Sequence, residues 1–162
     1  MIIRYVQVVA LLVLCFAANS AYSIDKAKIA PLSEDEFYRF FDEYRAFAGC
    51  IDALGVKQGL NSKRIAQKLV GSGEADELVV KAKAILTNDG VPASSLKLED
   101  TDAEQRVQLA MAALTGVAQT QRDSRTRYLV TMGMARIFIA RASDGSCGPS
   151  KTFIELFDKA RK

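Results

Sequence analysis

From residue 37 onward the apolar positions recur three and four apart. Phe37, Phe40, Phe41, Tyr44, Phe47, Ala48 and Ile51 fall on one face of a helix. Ser33 precedes them with Glu36 three residues on, a capping box, and acids fill the first turn, where the helix dipole favours them. At about 100° per residue Cys50 lies on the shoulder of the aromatic face, within reach of a neighbouring loop. Asp35, Arg39, Asp42 and Glu43 take the opposite face, with Arg39 spaced to form a solvated ion-pair ladder. Gly55 and Gly59 are expected to break this helix, and Asn61 or Ser62 to cap a short one carrying Ile65, Leu69 and Val70. Gly71-Ser72-Gly73 reads as a linker. A further helix runs from about Glu74 through Val79, Ala82, Ile85 and Leu86 to Asn88-Asp89-Gly90.

Residues 87–101 form the longest polar stretch, and unstructured loops of about 12–15 residues are uncommon in compact domains unless they are functional or disordered. This loop is therefore the expected binding element, with Asn88, Asp89, Ser94, Ser95, Glu99 and Asp100 as candidate partner-binding residues. Thr101 and Glu104 read as a second capping box, opening a helix with Val107, Ala110, Met111, Leu114, Val117 and Ala118 on one face. Residues 119–127 either turn the chain or cross an exposed part of a longer helix. In a continuous helix Arg122, Arg125 and Arg136 would project within about 60° of one another, as a solvated face or a grip for an anion. Residues 128–142 are apolar nearly all round and belong at the centre of a bundle, where Gly133 permits a close neighbour. A turn-rich segment then holds Cys147 before a last helix capped by Ser150, with Phe153, Ile154, Leu156 and Phe157 as its apolar surface. The sum is an all-α fold, a compact bundle of five to six helices.

The first residues carry a different signal. Arg4 is the only charge before an apolar stretch from about Val6 to Ala18, which small residues follow, so residues 1–23 read as a signal peptide cleaved after Ser20 or Ser23. An uncleaved anchor is the alternative, but the run is shorter than the roughly 20 residues a membrane helix needs. Residues 24–162 are then one helical domain, periplasmic or secreted and not an integral membrane protein after cleavage. Cys15 leaves with the leader. Cys50 and Cys147 remain, an even pair in a compartment where disulfides persist, and are expected to be bonded. Closing a loop near 100 residues stabilises by about 4–5 kcal/mol in the chain-entropy model.

Composition narrows the chemistry. The chain has 162 residues, 49% apolar and 25% charged, as expected for a domain with a packed core. It contains no histidine, which removes Ser-His-Asp and Cys-His catalysis and His-bearing zinc sites. The formal charge of +3, one unit less without Arg4, gives no strong pull toward nucleic acid. Gly71-Ser72-Gly73 lacks the lysine and spacing of a P-loop, and Glu74, Asp76 and Glu77 would repel a phosphate there. Asp100-x-Asp102-x-Glu104 lacks the glycine and distant glutamate of an EF-hand, so no metal is expected, and no cofactor fingerprint is present.

These features point to an exported, non-enzymatic binding protein that works by contact with a protein partner, without catalytic residue, metal or cofactor. The alternatives are a cofactor-free hydrolase using carboxylates from Asp89, Glu99, Asp100 or Asp102, and a self-associating structural protein of the envelope. In the segment Phe47-Ala48-Gly49-Cys50-Ile51 and in general layout alone, the chain resembles the periplasmic immunity proteins that neutralise amidase toxins of type VI secretion. That resemblance implies a toxin as partner and a loop that plugs its active-site cleft.

Overall fold

Ser33 opens the first helix as its sequence predicts. Its hydroxyl accepts from the Glu36 amide at 3.3 Å, and the Glu36 carboxylate accepts from the Ser33 amide at 3.1 Å. This helix, α1 (Glu34–Gln58), runs through Gly55, whose missing side chain faces open space, and stops at Gly59 in the left-handed region, φ 59°. The expected break at Gly55 is therefore absent, because one glycine without a positive φ costs a helix only about 1 kcal/mol. The structure is a computed structural model that describes residues 31–98, 101–121 and 124–162. The expected leader with Cys15, and Glu99, Asp100 and Arg122, lie outside the described residues.

Asn61 caps α2 (Ser62–Ser72) by accepting from the Arg64 amide at 2.9 Å, and Gly73 ends it with φ 78°. Next come α3 (Ala75–Asn88), a 3-10 turn (Ala93–Leu96) and α4 (Ala103–Thr120). The cap of α4 is Asp102, which accepts from the Gln105 amide at 2.8 Å, and not Thr101. Thr101 instead closes the preceding turn, donating to the Leu98 carbonyl at 2.9 Å. α4 ends at Thr120 and a new helix begins at Arg125, so residues 119–127 do not continue one long helix, and Arg125 and Arg136 share the second of the two. Ser124 caps α5 (Arg125–Arg141), and Ser150 caps α6 (Lys151–Ala160) while donating to Glu43 at 2.6 Å. Among the described residues there are six α-helices and no strand: the fold is an all-α bundle.

Side-chain pairs fix the helix directions. Asp76 meets Arg106, and Asp89 meets Gln121, so α3 and α4 run parallel. Glu74 pairs with Arg141 and Asp89 with Arg127, so α5 runs antiparallel to α3. Glu36 pairs with Lys159 and Glu43 with Ser150, which sets α6 antiparallel to α1. The parallel α3–α4 pair explains the long polar stretch. A chain leaving the end of α3 must travel back about one helix length, some 20 Å at 1.5 Å per residue, before α4 can begin alongside. Residues 89–98 begin that return path, and Leu98, buried, with Val91 and Leu96 packed on the core, hold it down.

The near-uniformly apolar α5 occupies the centre and touches all five other helices. Phe138, Leu129, Val130 and Met134 are buried on its several faces. Gly133 lets α6 approach: a Cβ there would stand 3.0 Å from Phe153 Cζ and 3.3 Å from Phe157 Cε2. Phe153 in turn lies against Phe40, Phe47 and Phe157 with ring centroids 5.2, 5.3 and 5.8 Å away, pairs worth about 0.5–1.5 kcal/mol each beyond the area they bury. Cys50 on α1 and Cys147, in the loop between α5 and α6, form a disulfide with Cα atoms 5.8 Å apart. Instead of the ladder expected on the outer face of α1, Glu43 reaches across to α6, and Asp35, Arg39 and Asp42 remain exposed.

Candidate functional site

The aromatic face of α1 is wider than its core needs. Counted at about 100° per residue, Phe40 and Phe47 lie at one edge and Phe41 about 100–120° round at the other, with Tyr38 farther still. The edge with Phe40 and Phe47 packs on α6. The other edge runs out past α5 and is left uncovered, with Tyr38 51% and Phe41 37% exposed. There the first two turns of α1, the end of α4 and the start of α5 enclose a groove of about 510 Å³. Phe37, Tyr38, Phe41 and Tyr128 form its aromatic walls, Ala118 and Leu129 part of its apolar lining, and Gln119, Gln121 and Arg125 its polar groups.

The walls are ordered by ring contacts. Phe37 stacks on Phe41 with centroids 6.2 Å apart and planes 17° apart, and meets Tyr38 edge-on at 5.6 Å. The Arg45 guanidinium lies 5.8 Å from the centre of the Phe41 ring, a cation–π contact. Tyr128, 40% exposed, completes the rim from α5. Arg136, on the same face of α5, donates to Asp52 on α1, which ties the two helices side by side. Tyr44, buried beside it, has its hydroxyl pKa raised by burial against the opposing pull of the Arg136 guanidinium.

Beneath the groove lies a buried polar network. The Gln121 amide donates to Asp89 Oδ2 and its carbonyl oxygen accepts from the Thr131 hydroxyl at 3.2 Å. Arg127 Nη1 donates to Asp89 Oδ1 at 3.3 Å. All four side chains are buried, Asp89 to 5% exposure. Burial raises the Asp89 carboxyl above its ordinary pKa of 3.8, against the lowering effect of the Gln121 amide and of Arg127. Both carboxylate oxygens are engaged, so the group braces the ends of α3, α4 and α5 and presents no free oxygen to the groove.

The candidate partner-binding residues are dispersed. Asp89 turns inward, and the Asn88 amide donates to the Arg161 carbonyl at 3.4 Å. Ser94 and Ser95 are exposed on the 3-10 turn, and Ser95 donates to the Pro92 carbonyl at 2.6 Å. Glu99 and Asp100 lie outside the described residues. Of the carboxylates considered for catalysis, Asp89 and Asp102 stand at opposite ends of the α3–α4 pair, and Asp102 is spent as a cap. Among the described residues no three His, Cys, Asp or Glu side chains gather as a metal site, and no helix is long and apolar enough to cross a membrane.

The aromatic groove went unread in the sequence because its rings share a period with the core. Tyr38, an aromatic standing outside the stripe between Phe37 and Phe41, was the available signal. No protein-family model, curated protein or solved structure matches the chain.

Proposed function

We propose that this chain is an exported, non-enzymatic binding protein that recognises a protein partner through the groove between α1, α4 and α5. The observation that carries the reading is the presence of three exposed aromatic rings, Tyr38, Phe41 and Tyr128, around one concavity beside Arg125. Tyrosine, aromatic rings and arginine are the side chains that dominate binding energy at protein interfaces, because they bury large areas with few rotatable bonds. The groove is supported by the Asp89 network below and by the cystine-tied α1–α6 pair, so little ordering entropy is lost on docking. The occupant is a partner segment offering one or two large apolar side chains and a carboxylate for Arg125, the only charged group among the described lining residues. The resemblance at Phe47–Ile51 supplies the partner class, a secreted toxin or enzyme that the protein neutralises, and the apolar run before residue 24 supplies the route out of the cell.

The test places a photo-crosslinking phenylalanine analogue at Tyr38 or Tyr128 in the native host, with Lys68 on α2 as a control position. The expected result is one adduct, with a heterologous protein, from the groove positions only. The purified partner then loses at least about tenfold in affinity on replacement of Phe41 and Tyr128 by Ser and Ala, as hot-spot truncations do. Equal labelling from Lys68, or an adduct between two copies of this chain, would overturn the reading, the second in favour of self-association.

A further inference from the structure

A second concavity lies on another side of the molecule. α3 and α6 both pack on α5 with their backbones held apart, and meet at their ends where the Asn88 amide donates to the Arg161 carbonyl. The trough between them has a volume of about 580 Å³, inside the roughly 300–1,000 Å³ of small-molecule sites. Arg161 lines one end and accepts at its carbonyl from the Asn88 amide at 3.4 Å. At the other the trough is closed by the loop that carries Cys147, whose bond to Cys50 fixes that wall to α1. Met134, Ile137 and Ala140 of α5 form the floor, and Ile85, Ile154 and Phe157 the flanks.

The charges around this apolar trough are unequal. Lys81, Arg141 and Arg161 line it, and Asp158 is the one acid among the described lining residues. Lys81 and Arg161 hold Glu77 and Asp158 at 2.6 and 2.7 Å, both pairs open to water. Arg141, 62% exposed at its side chain, stands 3.6 Å from Glu74, outside hydrogen-bond distance for its guanidinium. Exposed pairs of this kind are worth about 0–1 kcal/mol, so these cations can turn to a bound anion at little cost.

A trough with an apolar floor, edged by three cations that are each held only by an exposed ion pair, matches one ligand chemistry. We propose that it binds a single-chain anionic amphiphile, the alkyl chain lying on Met134, Ile137 and Ile154 and the head group held by Arg141 and Lys81. A carboxylate and a phosphate head satisfy the same contacts. The site is separate from the aromatic groove, with which it shares no lining residue.

The test titrates the whole protein with dodecanoate, dodecyl phosphate, neutral dodecyl maltoside and dodecyltrimethylammonium, each below its micelle concentration. Binding is followed by calorimetry and by amide chemical shifts. One or both anionic probes are expected to bind with one-to-one stoichiometry and to shift the amides of Ala140, Gly148 and Ile154, the preferred head group identifying the source. Arg141→Ala is expected to weaken binding about tenfold, the worth of one charge-assisted contact, and Lys81→Ala serves as a second variant. Ile154→Asp, at a half-buried position on the wall, is expected to abolish binding with the helical circular dichroism unchanged. The proposal is overturned if neither anion binds, if the neutral or cationic probe binds as well, if Arg141→Ala and Lys81→Ala both leave the affinity unchanged, or if the shifts map to Phe37, Phe41 and Tyr128.

Discussion

Removing the Cys50–Cys147 bond gives the sharpest test of how this fold is held. The two cysteines are 97 residues apart in sequence, and the chain-entropy model assigns a closed loop of that length about 4.7 kcal/mol at 25 °C. Set against the 5–15 kcal/mol typical of whole domains, that is about 30% of the total or more. The double variant Cys50→Ala, Cys147→Ala avoids placing a hydroxyl at the buried Cys147 position. At roughly 3–4 °C per kcal/mol for a domain of this size, the melting temperature falls by about 15 °C. The native helices remain, because α1 still meets α6 through the Phe40, Phe47 and Phe153 rings and the Glu36–Lys159 and Glu43–Ser150 contacts. Urea unfolding followed by far-UV circular dichroism measures both quantities. The midpoint drops and the denaturant slope rises, since the uncrosslinked chain exposes more surface when it unfolds. A loss below about 1 kcal/mol, or an unchanged slope with a large loss, would refute the argument that the bond acts by restricting the unfolded chain.

Two further predictions concern the centre of the bundle. Gly133→Ala gains about 1 kcal/mol of helix propensity but drives a methyl to 3.0 Å from the fully buried Phe153 ring. Overpacking of that kind costs about 1–3 kcal/mol, so thermal melts show a net loss, and Gly133→Val a larger one; a raised melting temperature for either would contradict the packing. Asp89→Ala strips both acceptors from the buried Gln121 and Arg127 side chains and costs about 3–5 kcal/mol at neutral pH, whereas Asp89→Asn, which keeps one acceptor oxygen, costs only about 1–2 kcal/mol. The same variant reports the Asp89 pKa. A carboxyl raised above 3.8 in the fold binds its proton more tightly there than in the unfolded chain. The stability advantage of the native protein over Asp89→Asn therefore widens as the pH falls through the raised value and stays level below about 3.8. Glu36, Glu77 and Asp144, all lowered, act with the opposite sign but equally in both proteins, and cancel in that difference. A narrowing advantage at acid pH would mean that the ion pair outweighs burial.

Most helix starts were legible because they are written in a few adjacent residues. Ser33 with Glu36, Asn61 and Ser150 each satisfy an orphan amide at a helix N-terminus, a local requirement that needs no knowledge of the fold. The two cysteines and the central place of α5 were legible for the same reason: pairing follows from an even count, and burial from apolar residues on every face. What remained hidden depends on helix direction. Nothing local to residues 89–102 says that α3 and α4 run parallel, and so a return path reads like a binding loop. Asp89, polar and next to a glycine, looks exposed until Gln121 and Arg127 arrive from other helices to solvate it. The Phe37 and Phe41 rings look like core until the arc of α1 covered by α5 and α6 is known, and only then does their surplus appear as the candidate surface.

The hub of the bundle, α5, is also the fifth of the six helices among the described residues. Whether the polypeptide is still being synthesised or is being threaded N-terminus first, four helices emerge before the element that their apolar sides require. The contacts of α1 with α5 are distant in sequence, with Asp52 meeting Arg136 across 84 residues, and such contacts delay folding until the late segment is present. The young chain therefore carries Phe40 and Phe47 uncovered through most of its emergence, the condition under which holdase chaperones bind. A truncation just before residue 125 would strand these surfaces permanently, leaving an aggregation-prone fragment where the whole chain forms a bundle.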